Sequence, residues 1–361
     1  MLFMNQYKTR KTIFIYIATV LLLCFSFNVF AQDTIMARSL DLSPKAESFY
    51  NEGVNLLLEN KVEMSIAAFD VAIDMDKEFY KAYLNRGVAK MKIKKYSDAI
   101  NDFDKVIYLD DKSDKAFFKR GVCNDYLGYK ESAFNDWKQS LEINSKNFDA
   151  HYFIGQKYFL EQNYEKALEH FLNAENPLMP KGNILNDIAG TYKKLDKDDK
   201  SLEYYNKAIR LEPKNALYHI NFGNIKKKQK KYEEAIEAYT KAINLDKGKI
   251  KAFNNRGSVY FELKEYEKAE IDFTEAIKRK NNNLNAYNNR GASRMKLGRY
   301  DEALSDFSRA IEINRGFAIA YVNRGIVKEL IYDINGACKD WQKAQKLGYE
   351  NSNKYLEEQC H

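Results

Sequence analysis

From residue 46 onward, apolar side chains return at three- and four-residue spacing, the stripe of an amphipathic helix. Short turns such as KKY (230–232) and LGRY (297–300) interrupt the stripe, so the pattern predicts helix–turn–helix units. The pattern also repeats as a whole, for NNRG stands at 254–257 and again at 288–291. With the glycine of that motif set at slot eight, the slot holds Gly53, Gly87, Gly121, Gly155, Ala189, Gly223, Gly257, Gly291 and Gly325, thirty-four residues apart each time. Slot twenty holds Ser65, Ala99, Ala133, Ala167, Ser201, Ala235, Ala269, Ala303 and Ala337. Slot twenty-four holds only rings: Phe69, Phe103, Trp137, Phe171, Tyr205, Tyr239, Phe273, Phe307 and Trp341. Nine units in unbroken register cover 46–351.

Small residues at slots eight and twenty let the two helices of a unit approach closely, and the ring at slot twenty-four fills the space beside them. A single pair cannot bury its outer face, so the pairs must stack into an all-α solenoid. Proline in LEPKN (211–215) ends a second helix, where it cannot extend the hydrogen-bond ladder. The glycine of NNRG is therefore a packing residue. A phosphate-binding loop would need a preceding strand, which the pattern does not supply.

These residues resemble the tetratricopeptide repeat, whose thirty-four-residue helix–turn–helix pattern they match in each of the nine units. The resemblance implies a right-handed superhelix with a concave groove that holds peptides or partner proteins. It also implies a capping helix over 352–361, running antiparallel to the second helix of unit nine. That placement brings Cys360 within bridging reach of Cys338 in an oxidising compartment. The alternative is two free thiols packed as small apolar residues.

This chain departs from the family at slot seven, which is Arg86, Arg120, Arg256, Arg290 or Arg324 in five units. Slot twenty-three of those same units is Asp102, Asp136, Asp272, Asp306 and Asp340, and no other unit has either residue there. The match predicts an ion pair joining the two helices of a unit, the planar guanidinium fitting the carboxylate. An arginine ladder for anionic ligands is the alternative, weakened by the neutralising aspartates.

Family likeness places slots two, five, nine, twelve and thirteen on the groove. In units one to four that lining includes Tyr50, Leu57, Leu84, Val88, Met91, Phe118, Val122, Tyr126, Tyr152 and Phe159. In units five to eight it becomes Asn186, Lys193, Lys194, Asn224, Lys227, Lys228, Asn254, Asn288 and Lys296. The change falls at NPLMPKGN (176–183), where two prolines and a glycine interrupt the linker. Asparagine amides both donate to and accept from a peptide backbone, and lysines favour acidic segments. The other readings are that the rings belong to the solenoid core and that the polar half is simply solvated. Clamps for C-terminal carboxylates place lysine at slot five, and no unit here has it.

The first thirty-one residues follow different rules. Lys8, Arg10 and Lys11 precede a nearly unbroken apolar run from Ile13 to Phe30, and Val29 and Ala31 form a small-residue cleavage signature. The stretch 1–31 reads as a secretory signal peptide, with 32–45 a linker and no membrane span after cleavage; an uncleaved anchor is the alternative. Cleavage removes three of the formal +7 charges. The small remaining excess, together with export, argues against a nucleic-acid partner.

Only four histidines occur, and His151 and His219 occupy slot four, a packing position. No HExxH, nucleophile elbow or CxxC appears. The chain is expected to be a non-catalytic scaffold without metal or cofactor, binding a protein or peptide along its groove in the cell envelope. A structural accessory that contacts a larger assembly by its flank is the alternative.

Overall fold

The computed structural model describes residues 44–360; the signal-like stretch, the linker up to Ser43 and His361 lie outside the described residues. Nine helix pairs follow one another, then a 3₁₀ turn at Glu350–Ser352 and a last helix at Asn353–Gln359. The first helix, Pro44–Leu58, takes in two residues assigned above to the linker. Proline is accommodated there because the first turn of a helix has no partner for its amide. The chain divides into two compact bodies, up to Ile154 and from Gly155, within the helix Phe148–Leu160.

In the first body the pairs are Pro44–Leu58 with Val62–Met75, Tyr80–Lys92 with Tyr96–Leu109, and Asp114–Tyr126 with Lys130–Ile143. Phe69 and Phe103 are fully buried. A Cβ added at Gly53 would stand 2.6 Å from the Phe69 ring, so the ring occupies the space that glycine leaves empty. In the second body the ring of Phe307 lies 2.9 Å from the same point on Gly291. Burying one such ring stabilises the pair by about 1.5–3 kcal/mol. Where slot twenty is serine, its hydroxyl donates to the slot-eight carbonyl, Ser65 to Gly53 at 2.8 Å and Ser201 to Ala189 at 2.7 Å.

The second body holds Tyr164–Ala174 and the pairs Gly182–Lys194 with Asp198–Leu211, Ala216–Lys228 with Tyr232–Leu245, Ile250–Glu262 with Tyr266–Arg279, Leu284–Lys296 with Tyr300–Ile313, and Ala318–Leu330 with Ile334–Lys346. Between pairs the linkers are four residues, such as 212–215 and 246–249, but 175–181 is seven. Pro177 and Pro180 keep either helix from extending into it. Leu178 is 91% exposed there.

Within each unit the turn is the same. Slot fifteen, from Asn60 and Lys94 through Gly298 to Tyr332, has φ between 55° and 90°. The next amide then reaches back to the slot-eleven carbonyl, as Arg299 does to Arg294 at 2.9 Å, closing the helix with a left-handed cap.

At the end of the chain, Tyr355 stacks on Trp341 with centroids 5.0 Å apart, and Gln345 donates to Asn353 at 2.8 Å. Cys338 and Cys360 form a disulfide with Cα atoms 5.8 Å apart. One sequence number rises as its partner's falls across these three pairs, so the last helix runs antiparallel to Ile334–Lys346. Asn353, Lys354, Glu357 and Glu358 are exposed, giving the terminal helix a polar outer face.

Candidate functional site

Each slot-seven arginine meets the slot-twenty-three aspartate of its own unit. Arg86 Nη2 and Arg120 Nη2 lie 2.6 Å from Asp102 and Asp136. Arg256 reaches Asp272 at 2.8 Å, and Arg290 and Arg324 reach Asp306 and Asp340 at 2.7 Å. The aspartates are buried. The remaining nitrogen, Nη1, goes to the preceding unit at slot twenty-five: Asp70, Asp104, Thr240, Thr274 and Ser308, between 2.6 and 3.2 Å. These arginines therefore join units as well as helices. Slot eleven adds a second donor to four of the aspartates: Lys90, Asn124, Arg294 and Lys328. Unit seven has Tyr260 at that slot. Burial, partly offset by Arg256, holds the Asp272 carboxyl above its ordinary pKa.

Several rings expected on the groove are packing residues instead. Tyr50 is 3% exposed and sits between Phe69 and Phe79, and Phe118 and Tyr152 are also buried. Phe118 packs its ring edge against Phe153. A ring at slot five sinks into the gap between first helices, where apolar neighbours exclude water from it. Leu84 and Phe159 remain half-buried, with Phe159 edge-on to Tyr164.

On the polar half, asparagines interlock the first helices. Asn221 donates to Asn186 and Asn323 to Asn288, both at 2.9 Å, one unit plus one residue along the chain. Asn85 makes the equivalent bond to Tyr50. Asn288 is buried by this contact. The Asn224 oxygen accepts from Tyr239 at 2.9 Å and from Asn255 at 2.8 Å, which fills both its lone pairs. The Asn254 oxygen is buried and has no hydrogen-bond partner among the described residues.

Lys193 and Lys227 occupy slot twelve of units five and six, both half-buried. Among the described residues neither makes an ion pair, whereas Lys226 holds Glu234 at 2.6 Å and Lys228 holds Asp196 and Asp198. Lys227 Nζ donates to Ser258 Oγ at 2.6 Å. Burial lowers both ammonium pKa values; Lys194 pushes Lys193 further down while Asp198 pulls it up, and Glu262 pulls Lys227 up.

His151 and His219 are not core groups. Each ring Nε2 donates to a carbonyl six residues back, Ser145 at 3.1 Å and Pro213 at 3.0 Å. Among the described residues, no group of three or more His, Cys, Asp or Glu is placed to hold a metal, and no helix is long and apolar enough to cross a membrane.

The fold and its register define a helical repeat protein. Models described as tetratricopeptide repeat match residues 80–113, 183–215, 204–237, 250–283 and 284–317, and one described as TPR repeat matches 223–264. Three of these spans coincide with units two, seven and eight. Over the matched residues the chain is built of tetratricopeptide repeats, and its register carries the same pattern through all nine units.

Two solved structures share the fold, and a third is similar over less of the chain. The C-terminal part of a TPR repeat-containing protein from Cytophaga hutchinsonii is 15% identical with a TM-score of 0.54, over 66% of this chain and 98% of that one. Pseudomonas aeruginosa PilF is 15% identical with a TM-score of 0.50, over 58% of this chain and 96% of that one. A crystal structure of MamA is 23% identical with a TM-score of 0.43, over 46% of this chain and 97% of that one. No curated protein matches the chain.

Proposed function

We propose that this chain is a non-catalytic scaffold of the cell envelope that holds a protein or peptide partner along the face formed by its first helices. Tetratricopeptide repeats generally mediate protein–protein contact, which is the coarse basis of the reading. The observation that carries the finer part lies in units five to seven. The first helices of units five and six keep Lys193, Asn224 and Lys227 only half-buried and, among the described residues, outside any ion pair, while the neighbouring Lys226 and Lys228 are taken up by internal partners. Small residues and rings at slots eight, twenty and twenty-four are consumed by packing, so this face is where the repeat leaves polar chemistry available.

Two features support an envelope location. The basic-then-apolar stretch ending at Ala31 reads as an export signal, and the Cys338–Cys360 disulfide suits an oxidising compartment.

A photo-crosslinking amino acid at Ser258, on the first-helix face, and another at the exposed Ile271 of a second helix would test the reading in native cells. Partner adducts are expected from Ser258. Adducts confined to Ile271 would favour contact by the flank, and adducts at neither position would remove the scaffold reading.

A further inference from the structure

The hydrogen-bond inventory of units five to seven is lopsided. Asn186 Oδ1 accepts from Asn221, and Asn224 Oδ1 accepts from both Tyr239 and Asn255. Ser258 Oγ accepts from Lys227 and donates to the Asn255 carbonyl. The Asn186, Asn224 and Ser258 oxygens are thus engaged inside the protein, and the Asn254 oxygen is buried away from a ligand. The half-buried ammonium groups of Lys193 and Lys227 and the Asn224 NH2 are left as donors, with capacity unused in each. Asp198 and Glu262 influence the lysines but stand beyond ion-pair distance of them. A surface of donors carrying two positive charges is complementary to anions.

We propose that Lys193 and Lys227, together with the Asn224 amide, bind the side-chain carboxylates of an acidic, extended segment of the partner protein. The idea rests on the scaffold reading above and names the chemistry of its site. The two lysines hold the same slot on first helices that are bonded to each other through Asn221 and Asn186. Packed helices lie about 8–10 Å apart. An extended chain advances about 3.3 Å per residue, so carboxylates about three positions apart span the two ammonium groups. Half-burial strengthens each ion pair relative to one in open solvent, and the lysines already carry part of the desolvation cost.

The probe is a synthetic fluorescent peptide with glutamate at every third position, beside the same peptide with glutamine there. Binding to the full mature chain is read by anisotropy at low and physiological salt. The glutamate peptide is expected to bind and the glutamine peptide to fail. Lys193→Gln with Lys227→Gln should weaken binding by about tenfold or more, while Lys278→Gln, on a second helix and paired with Glu275, should leave it unchanged. Mass spectrometry of lysine acylation gives a second readout, with protection by the glutamate peptide expected at Lys193 and Lys227 only. Equal binding by the double variant, equal binding of the two peptides, or no binding of either peptide to the wild type overturns the proposal. The Ser258 adducts separate the two ideas: retained in the double variant, they leave the scaffold reading standing and this inference fallen.

Discussion

Arg290 grips Asp306 with two nitrogens, Nε to Oδ2 at 2.9 Å and Nη2 to Oδ1 at 2.7 Å. Its third nitrogen reaches Thr274 of the preceding unit at 3.2 Å. A planar fork does what a lysine cannot, because one side chain fixes both the angle within a unit and the contact between units.

Arg290→Ala and Asp306→Ala should therefore show a coupling of about 1–3 kcal/mol in a double-mutant cycle measured by urea unfolding. Asp306→Ala should be the costlier single change, since it strips a partner from Arg294 as well as from Arg290. Additive effects of the two substitutions would show that the pair contributes no more than its separate parts.

Half of this connection was readable before any coordinates. The match of slots seven and twenty-three is visible because both lie in one unit, where the repeat register aligns them. The other half crosses a unit boundary, and a search within single units misses it. The signal was nonetheless present: Asp70, Asp104, Thr240, Thr274 and Ser308 stand at slot twenty-five directly before every arginine-bearing unit. Burial was the less legible quantity. Periodicity says which face of a helix Tyr50 or Tyr152 occupies, but not that neighbouring helices close over a ring at slot five. The asparagines show the same limit, because Asn288 reads as an open amide until Asn323 covers it.

Asp272 predicts a pH effect. Burial raises its pKa, and Tyr260 stands where three sister units place a cation against the matching aspartate. An unfolded aspartate titrates near ~3.9. With the folded value higher, the folded state holds the proton more tightly. The stabilisation is then complete below the unfolded value and is lost as pH rises through the folded one. Tyr260→Lys should supply the missing cation, reduce that loss and add about 1 kcal/mol at pH 7. Unfolding of the wild type and the variant at pH 4 and pH 7 checks it; a gain equal at both pH values would assign the effect to something other than Asp272.

The turns predict a stabilising change. Tyr332 is 90% exposed and has φ 66°. A left-handed backbone costs an L-residue roughly 1–2 kcal/mol, and glycine escapes that cost while losing more entropy on folding. Tyr332→Gly should gain roughly 0.5–1 kcal/mol after that offset. Gly298→Ala, with φ 74°, should lose a similar amount. Thermal melts of both variants decide the matter, and a loss in the tyrosine variant would mean that its ring makes contacts worth more than the strain.

The three cysteines of the described residues divide into a bonded pair, Cys338 and Cys360, and a buried free thiol, Cys123. The Cys338–Cys360 bond closes a loop with a sequence separation of 22 and fastens the short terminal helix to the last unit. Cys123 is fully buried, and burial pushes its thiol up to about 12, so almost no thiolate is present at neutral pH. A protein produced from Gln32 onward and oxidised should yield one thiol on denaturing titration and none to brief alkylation while folded. After reduction, Cys338 and Cys360 should react first, because the short terminal helix Asn353–Gln359, which ends at Cys360 and packs beside Cys338, frays more readily than the core around Cys123. Closing a loop of that size is worth about 3 kcal/mol in the chain-entropy account, so reduction should loosen hydrogen-exchange protection over residues 350–360 well before it affects unit three. Three thiols in the denatured oxidised protein would mean that the two cysteines pack side by side without bonding, and equal exchange before and after reduction would mean that the bond fastens nothing.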